Sequence, residues 1–142
     1  MKTEFALHGD YGLLRLQPDG GMIDLSRLPL PERCDALLQM LVPDGEMRLM
    51  YENGGYAMRF NYDAELLPSL VIWISNRGRD EAPFDGKFRT IGIEAVAGAF
   101  DLGPTVSCWS DTPIAREGVS REVTLLAGQE LTTTSTITIE AL

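Results

Sequence analysis

The sequence has a single histidine, His8, and only two cysteines, Cys34 and Cys108. The cysteines lie far apart, neither belongs to a Cys-x-x-Cys pair, and His8 lies beside neither of them. Structural zinc sites and disulfide frameworks need several such residues at short, regular spacing. We therefore expect no metal site, no disulfide and no cofactor, and we interpret both cysteines as buried free thiols.

Basic residues and long apolar runs are also scarce. The chain has 12 lysines and arginines against 21 aspartates and glutamates, which gives a net charge of −9. Such a chain repels phosphate groups, so neither nucleic acid nor an anionic membrane surface is an expected partner. No apolar run approaches the roughly 18 residues of a membrane span. Because Glu4, His8 and Asp10 lie where a signal peptide would be apolar, we expect a cytoplasmic protein.

The chain does contain enough apolar residues for a core. Its 142 residues are 44% hydrophobic and 23% charged, which predicts one globular domain over residues 1–142. Residues 46–62 alternate as two strands around Asn53, Gly54 and Gly55, which is typical of a hairpin. The segment "SLVIWISN", residues 69–76, is apolar on both faces and predicts a central strand.

Further strand patterns extend along the chain. They cover residues 12–17, 88–96, 121–126 and 131–142. Residues 30–42 fit either a helix with Pro31 in its first turn or a strand ending at Pro43, and the neighbouring pattern slightly favours the strand. The absence of alternating strands and helices predicts an all-β fold, an antiparallel β-sandwich. Its inward-facing residues are expected to be Met58, Phe60, Ile91, Ile93, Ile137 and Ile139.

The stretch "FRTIGIEAVAGAFDLG" places one carboxylate, Glu94, within an apolar strand. If Ile91 and Ile93 face the core, then Glu94 and Gly92 share the opposite face. Gly92 has no side chain, so another molecule can approach Glu94 there. A carboxylate with apolar neighbours suits a general base. The alternative is a solvated glutamate on an exposed sheet face.

Three segments resemble the aldose 1-epimerase (galactose mutarotase-like) family. The segment "GIEAVAGAFDLG" resembles the family's late strand and loop, which carry the general-base glutamate. "ELLPSLVIWISNRGR" is similar to the preceding strand, and "LLAGQELTTTSTITIEAL" to the closing turn and final strand. The similarity begins at about Glu46 and extends to the end of the chain. The resemblance implies a galactose mutarotase-like β-sandwich, a partial supersandwich matching the family's C-terminal half, with Glu94 as candidate base.

The sequence also departs from that family. Family members are longer, and they use histidines from preceding segments, one of them as the general acid. His8 does not match those motifs, and Ala95 stands where Pro or Thr is usual. The resemblance thus leaves catalysis open: the chain is expected to act on or bind a free sugar. The alternatives are a non-catalytic carbohydrate-binding sandwich and a structural half-domain completed by another chain.

The resemblance also suggests binding residues. Trp73 would lie near the sugar and stack on it, although a core tryptophan is the alternative. Asn76, Arg77 and Arg79 would recognise hydroxyl groups, although solvated polar residues at the end of a strand are the alternative.

A half-length supersandwich leaves sheet edges uncovered, so we expect a homodimer.

Overall fold

The computed structural model describes residues 5–8, 14–16, 22–100, 102–109 and 111–142 of the chain. The first strands are β1 (Phe5–His8), β2 (Leu14–Leu16), β3 (Met22–Asp24), β4 (Arg27–Leu28) and β5 (Cys34–Leu41). They are followed by β6 (Glu46–Tyr51), β7 (Tyr56–Asn61), β8 (Ser69–Asn76) and β9 (Arg89–Val96). Two short helices, α1 (Gly103–Ser107) and α2 (Pro113–Arg116), precede the final strand, β10 (Thr136–Ala141).

The strands pair in antiparallel fashion throughout the described part of the chain. One sheet has the order β10-β7-β6-β1-β4, a second has the order β5-β8-β9, and β2 pairs with β3. The all-β, antiparallel fold class is therefore confirmed. Among the described residues, no helix is long and apolar enough to cross a membrane.

The two larger sheets share one hydrophobic core. In β8, Leu70, Ile72 and Ile74 are fully buried. They belong to the same cluster as Met47 and Leu49 of β6 in the other sheet. Alternate side chains of β8 thus pack inward, and this arrangement turns the opposite face of the three-stranded sheet away from the core.

Most of the predicted strands are confirmed. Residues 30–42 contain a strand, β5, and β8 is the central strand of its sheet. The hairpin of β6 and β7 turns through a short 3₁₀ helix, Glu52–Gly54, followed by Gly55 with a φ of 68°. Glycine adopts this left-handed conformation without steric cost, which explains the Gly-rich turn.

The prediction for the C-terminal region is partly wrong. Residues 121–126 form no strand, and the last strand begins only at Thr136. Ile137 and Ile139 are 65% and 63% exposed, although they were expected to face inward. The physical reason is their position in β10, the outermost strand of a five-stranded sheet, because a facing sheet of three strands cannot cover all five. By contrast, the other four expected core residues pack against the cluster: Met58, Phe60, Ile91 and Ile93.

Cysteine burial and the helices also differ from expectation. Cys108 is exposed at the end of α1, and Cys34 is only partly buried, so neither cysteine is fully buried.

Both helices have a proline in their first turn, where its missing N–H costs nothing. The Thr112 hydroxyl accepts a 3.3 Å hydrogen bond from the Ala115 amide and caps α2. The Thr-Pro pair at this start is a helix signal readable from sequence.

Candidate functional site

The outer face of the three-stranded sheet carries the residues of interest. The register of β8 and β9 places Trp73 opposite Gly92, and Val71 opposite Glu94. This face borders an open cleft of about 400 Å³. Its polar lining includes Asp35, Arg79 and Glu94, and its aromatic lining consists of Trp73, Phe84 and Phe100. The structure therefore brings Glu94 and Trp73 together in one cleft.

The Trp73 ring is held in place on several sides. Its indole Nε1–H donates a 3.1 Å hydrogen bond to Asp35 Oδ1. Phe84 meets the ring edge-on with centroids 6.1 Å apart, and Phe88 is stacked at 6.4 Å. These contacts fix an amphipathic aromatic wall along the cleft, with its polar edge already hydrogen-bonded.

Arg79 connects the aromatic wall to Asp35. Its Nε donates a 2.7 Å hydrogen bond to Asp35 Oδ2. Its guanidinium carbon also lies 4.8 Å from the centroid of the Trp73 ring and 5.3 Å from that of Phe84. The arginine thereby combines an ion pair with two cation–π contacts. Its positive charge is balanced within the protein by a carboxylate of the same cleft.

The Asp35 carboxyl is held in its ionised form. Burial acts to raise its pKa, but the hydrogen bonds from Arg79 and Trp73 outweigh burial, and the net pKa lies below its ordinary value of 3.8. A group that stays ionised at neutral pH has no proton to donate, so Asp35 is unsuited to act as a general acid.

We predict that Asp35→Asn destabilises the protein by about 1 kcal/mol at neutral pH, because the Arg79 pair is lost. A lowered folded-state pKa stabilises the fold above the unfolded-state pKa and loses this effect as pH falls through the folded-state value. The difference in the free energy of unfolding between wild type and variant should therefore become smaller below about pH 3.8. Urea unfolding of both proteins across this pH range measures the difference in the free energy of unfolding.

Asp111→Asn is the control, because it removes an exposed ion pair and should change the free energy of unfolding little. A difference between wild type and Asp35→Asn that does not depend on pH would contradict the lowered pKa of Asp35.

The Glu94 side chain is exposed within the cleft. Its Oε1 lies 3.8 Å from the position that a Cβ on Gly92 would occupy, and Trp73 Cε3 lies 3.6 Å from the same point. The open side of Gly92 is thus bordered by both side chains, and the tryptophan fills part of it. Among the described residues, none donates a hydrogen bond to Glu94 or forms an ion pair with it. Its oxygens are available to a ligand.

Asn76 lies outside this cleft. It is on the core face of β8 and only 2% exposed. Its Nδ2 donates hydrogen bonds to the main-chain oxygens of Leu30, at 2.9 Å, and Glu32. The amide therefore satisfies main-chain carbonyl groups rather than facing a ligand, which corrects the expected role of Asn76 in hydroxyl recognition.

Arg77 is not part of the cleft lining either. It follows β8 with a left-handed φ of 62°, and its amide donates a 2.7 Å hydrogen bond to the Phe88 carbonyl. The carbonyl of Arg77 accepts a 2.9 Å bond from Arg33 Nε. The bond to Phe88 extends the pairing of β8 with β9 by one residue beyond Asn76. The arginine that lines the cleft is Arg79.

The single histidine of the chain, His8, lies on a different sheet. Its strand β1 pairs with β6, where His8 is in register with Arg48 in the five-stranded sheet. Glu94 belongs to the three-stranded sheet. In the part of the chain that the structure describes, no group of three His, Cys, Asp or Glu side chains could hold a metal ion.

Asp35 and Phe84 line the cleft but could not be identified from the sequence pattern. Asp35 belongs to the segment whose secondary structure was ambiguous, and its face is defined only once β5 is known to pair with β8. Phe84 lies in the loop after β8, where no periodicity predicts its direction. Comparison of the chain with protein-family models, curated proteins and solved structures found no match, so the interpretation of this cleft depends on its own geometry.

Proposed function

We propose that this chain is an aldose 1-epimerase-like protein that binds a free sugar in the cleft between Glu94 and Trp73. The observation that carries the proposal is the exposed Glu94 carboxylate, which has no partner among the described residues, beside a fixed tryptophan ring. An aromatic face packs against the C–H face of a pyranose, and a carboxylate accepts hydrogen bonds from its hydroxyl groups. The mixed apolar and polar lining is typical of small-molecule sites.

The proposal includes a galactose mutarotase-like fold, formed by a single domain in the cytoplasm. Two antiparallel sheets with a shared core are compatible with it. The order of elements along the chain gives further support. The hairpin comes first, then the central strand, then the strand that carries Glu94, and the segments that resemble the family have the same order. If this fold assignment is correct, then Glu94 occupies the position of the family's general base.

Binding without catalysis is the function that the cleft supports best. Mutarotation needs a base that removes the proton from the C1 hydroxyl group while an acid protonates the ring oxygen. Glu94 could be that base, but Asp35, the second carboxyl of the cleft, has a lowered pKa and holds Arg79. An epimerase would require an acid from elsewhere, such as His8.

The remaining alternative is a structural half-domain that another chain completes.

We predict that Glu94→Gln weakens sugar binding about tenfold, because it keeps the shape of the side chain and removes a charged hydrogen-bond acceptor. Calorimetry with a panel of neutral monosaccharides measures the affinity, and Glu52→Gln, on the exposed 3₁₀ turn, is the matched control.

Polarimetry of freshly dissolved α-sugars separates binding from catalysis. We expect no acceleration of mutarotation by the wild type. An acceleration that Glu94→Gln abolishes would establish the epimerase instead, with Glu94 as its base. If no sugar binds and none reacts, the proposed function is wrong.

A further inference from the structure

The C-terminal part of the chain exposes an unusual amount of apolar surface. Residues 122–135, here called the terminal arm, belong to no strand or helix and are exposed throughout. Large apolar side chains recur along the arm and the following strand β10, each at least 40% exposed: Val123, Leu125, Leu126, Leu131, Ile137 and Ile139. A monomeric protein rarely leaves so many large apolar side chains of one segment in contact with water.

The backbone of β10 is also open on one side. In the described residues, β10 pairs with β7 alone and is the outermost strand of the five-stranded sheet. Natural proteins protect such edges with charged residues, prolines or bulges. The segment "LTTTSTITI", residues 131–139, has no charged residue and no proline. Its unprotected edge is suited to pairing with another strand.

The charge distribution identifies the kind of partner. The chain has a net charge of −9, so two copies repel each other over most of their surface. Residues 131–139 are uncharged, and the nearby Glu140 is paired with Arg59 at 2.7 Å. Two copies therefore meet with least repulsion along residues 131–139, whereas a basic partner would find carboxylates only in the preceding part of the arm, at Glu122 and Glu130.

We propose that two copies of this chain associate through antiparallel pairing of their β10 strands about a twofold axis at Thr138. This register places Ile137 opposite the partner's Ile139, and Thr136 opposite the partner's Glu140. Apolar residues then face apolar residues, and no two carboxylates lie directly opposite each other. Because a six-residue strand pair falls short of the roughly 1,200 Å² of a stable interface, the terminal arm must also contribute.

The register can be tested by placing charges on the two isoleucines. Ile137→Lys together with Ile139→Lys sets like charges opposite each other in both directions, and we expect a monomer. Ile137→Lys together with Ile139→Glu sets opposite charges face to face in the proposed register, and we expect the dimer to persist. Both side chains are mostly exposed in the single chain, so its fold should tolerate either pair.

Light scattering during size-exclusion chromatography of the full chain measures the outcome. The wild type and the Lys/Glu double variant should have twice the 15.7 kDa mass of one chain, and the Lys/Lys double variant should have the mass of one chain. The control Leu102→Lys changes an exposed residue outside the arm and should remain dimeric. A wild-type monomer at high concentration would overturn the proposal. So would a Lys/Lys pair that still dimerises, or a Lys/Glu pair that dissociates. Circular dichroism verifies that each variant is folded.

Discussion

Replacement of Leu70 by alanine is expected to lower the free energy of unfolding by about 3 kcal/mol. Leu70 is fully buried in β8, the central strand of its sheet, and its neighbours in register are Met40 and Ala95. The substitution removes buried methyl groups and leaves a cavity, because strands on both sides prevent the backbone from closing around the smaller side chain.

Leu102→Ala is the matched control for this experiment. Leu102 is 57% exposed, so the same chemical change should alter the free energy of unfolding by less than about 0.5 kcal/mol. Urea unfolding followed by circular dichroism measures both variants. Equal losses in the two variants, or no loss for Leu70→Ala, would contradict the location of the core between the two sheets.

Replacement of Trp73 by alanine is expected to reduce sugar affinity by at least about tenfold, because an aromatic side chain that packs against a bound partner commonly accounts for more than about 1.4 kcal/mol of binding energy. The tryptophan ring forms the wall of the cleft, and its Nε1–H also holds Asp35. Its removal therefore eliminates the stacking surface and loosens the Asp35–Arg79 pair at the same time.

Two controls separate this loss from unfolding. Trp109→Ala removes the other tryptophan, which is 58% exposed and not part of the cleft lining, and should leave the affinity unchanged. Trp73→Leu keeps apolar volume over Gly92 without an aromatic face, so it should remain folded and still bind weakly. Wild-type affinity in a folded Trp73→Leu variant would exclude the aromatic wall as a binding surface.

Local patterns were sufficient to predict much of the fold. Alternation defined the hairpin at residues 46–61, and continuous apolarity placed β8 at the centre of its sheet. The face of β9 followed from the same rule, since Ile91 and Ile93 pack inward and Glu94 points away from the core. Such features depend on neighbouring residues along the chain, which the sequence shows directly.

Features that depend on the partner strand could not be predicted. Ile137 and Ile139 show a clear period of two, but their exposure depends on the width of the opposite sheet. The space beside Gly92 is partly filled by Trp73, which becomes its neighbour only through strand register. Asn76 is polar at a strand end, where an exposed position is usual, yet it is buried and donates hydrogen bonds to main-chain carbonyl groups of a distant segment.

The measurement that tests the central claim most directly is a nuclear magnetic resonance titration of the wild type with neutral monosaccharides. The two tryptophans give separate indole N–H signals, which Trp109→Phe assigns. If the cleft binds a free sugar, the Trp73 signal moves in a saturable manner while the Trp109 signal stays in place. A Trp73 signal that does not move with any sugar of the panel, or that moves only together with Trp109, would contradict sugar binding beside Glu94.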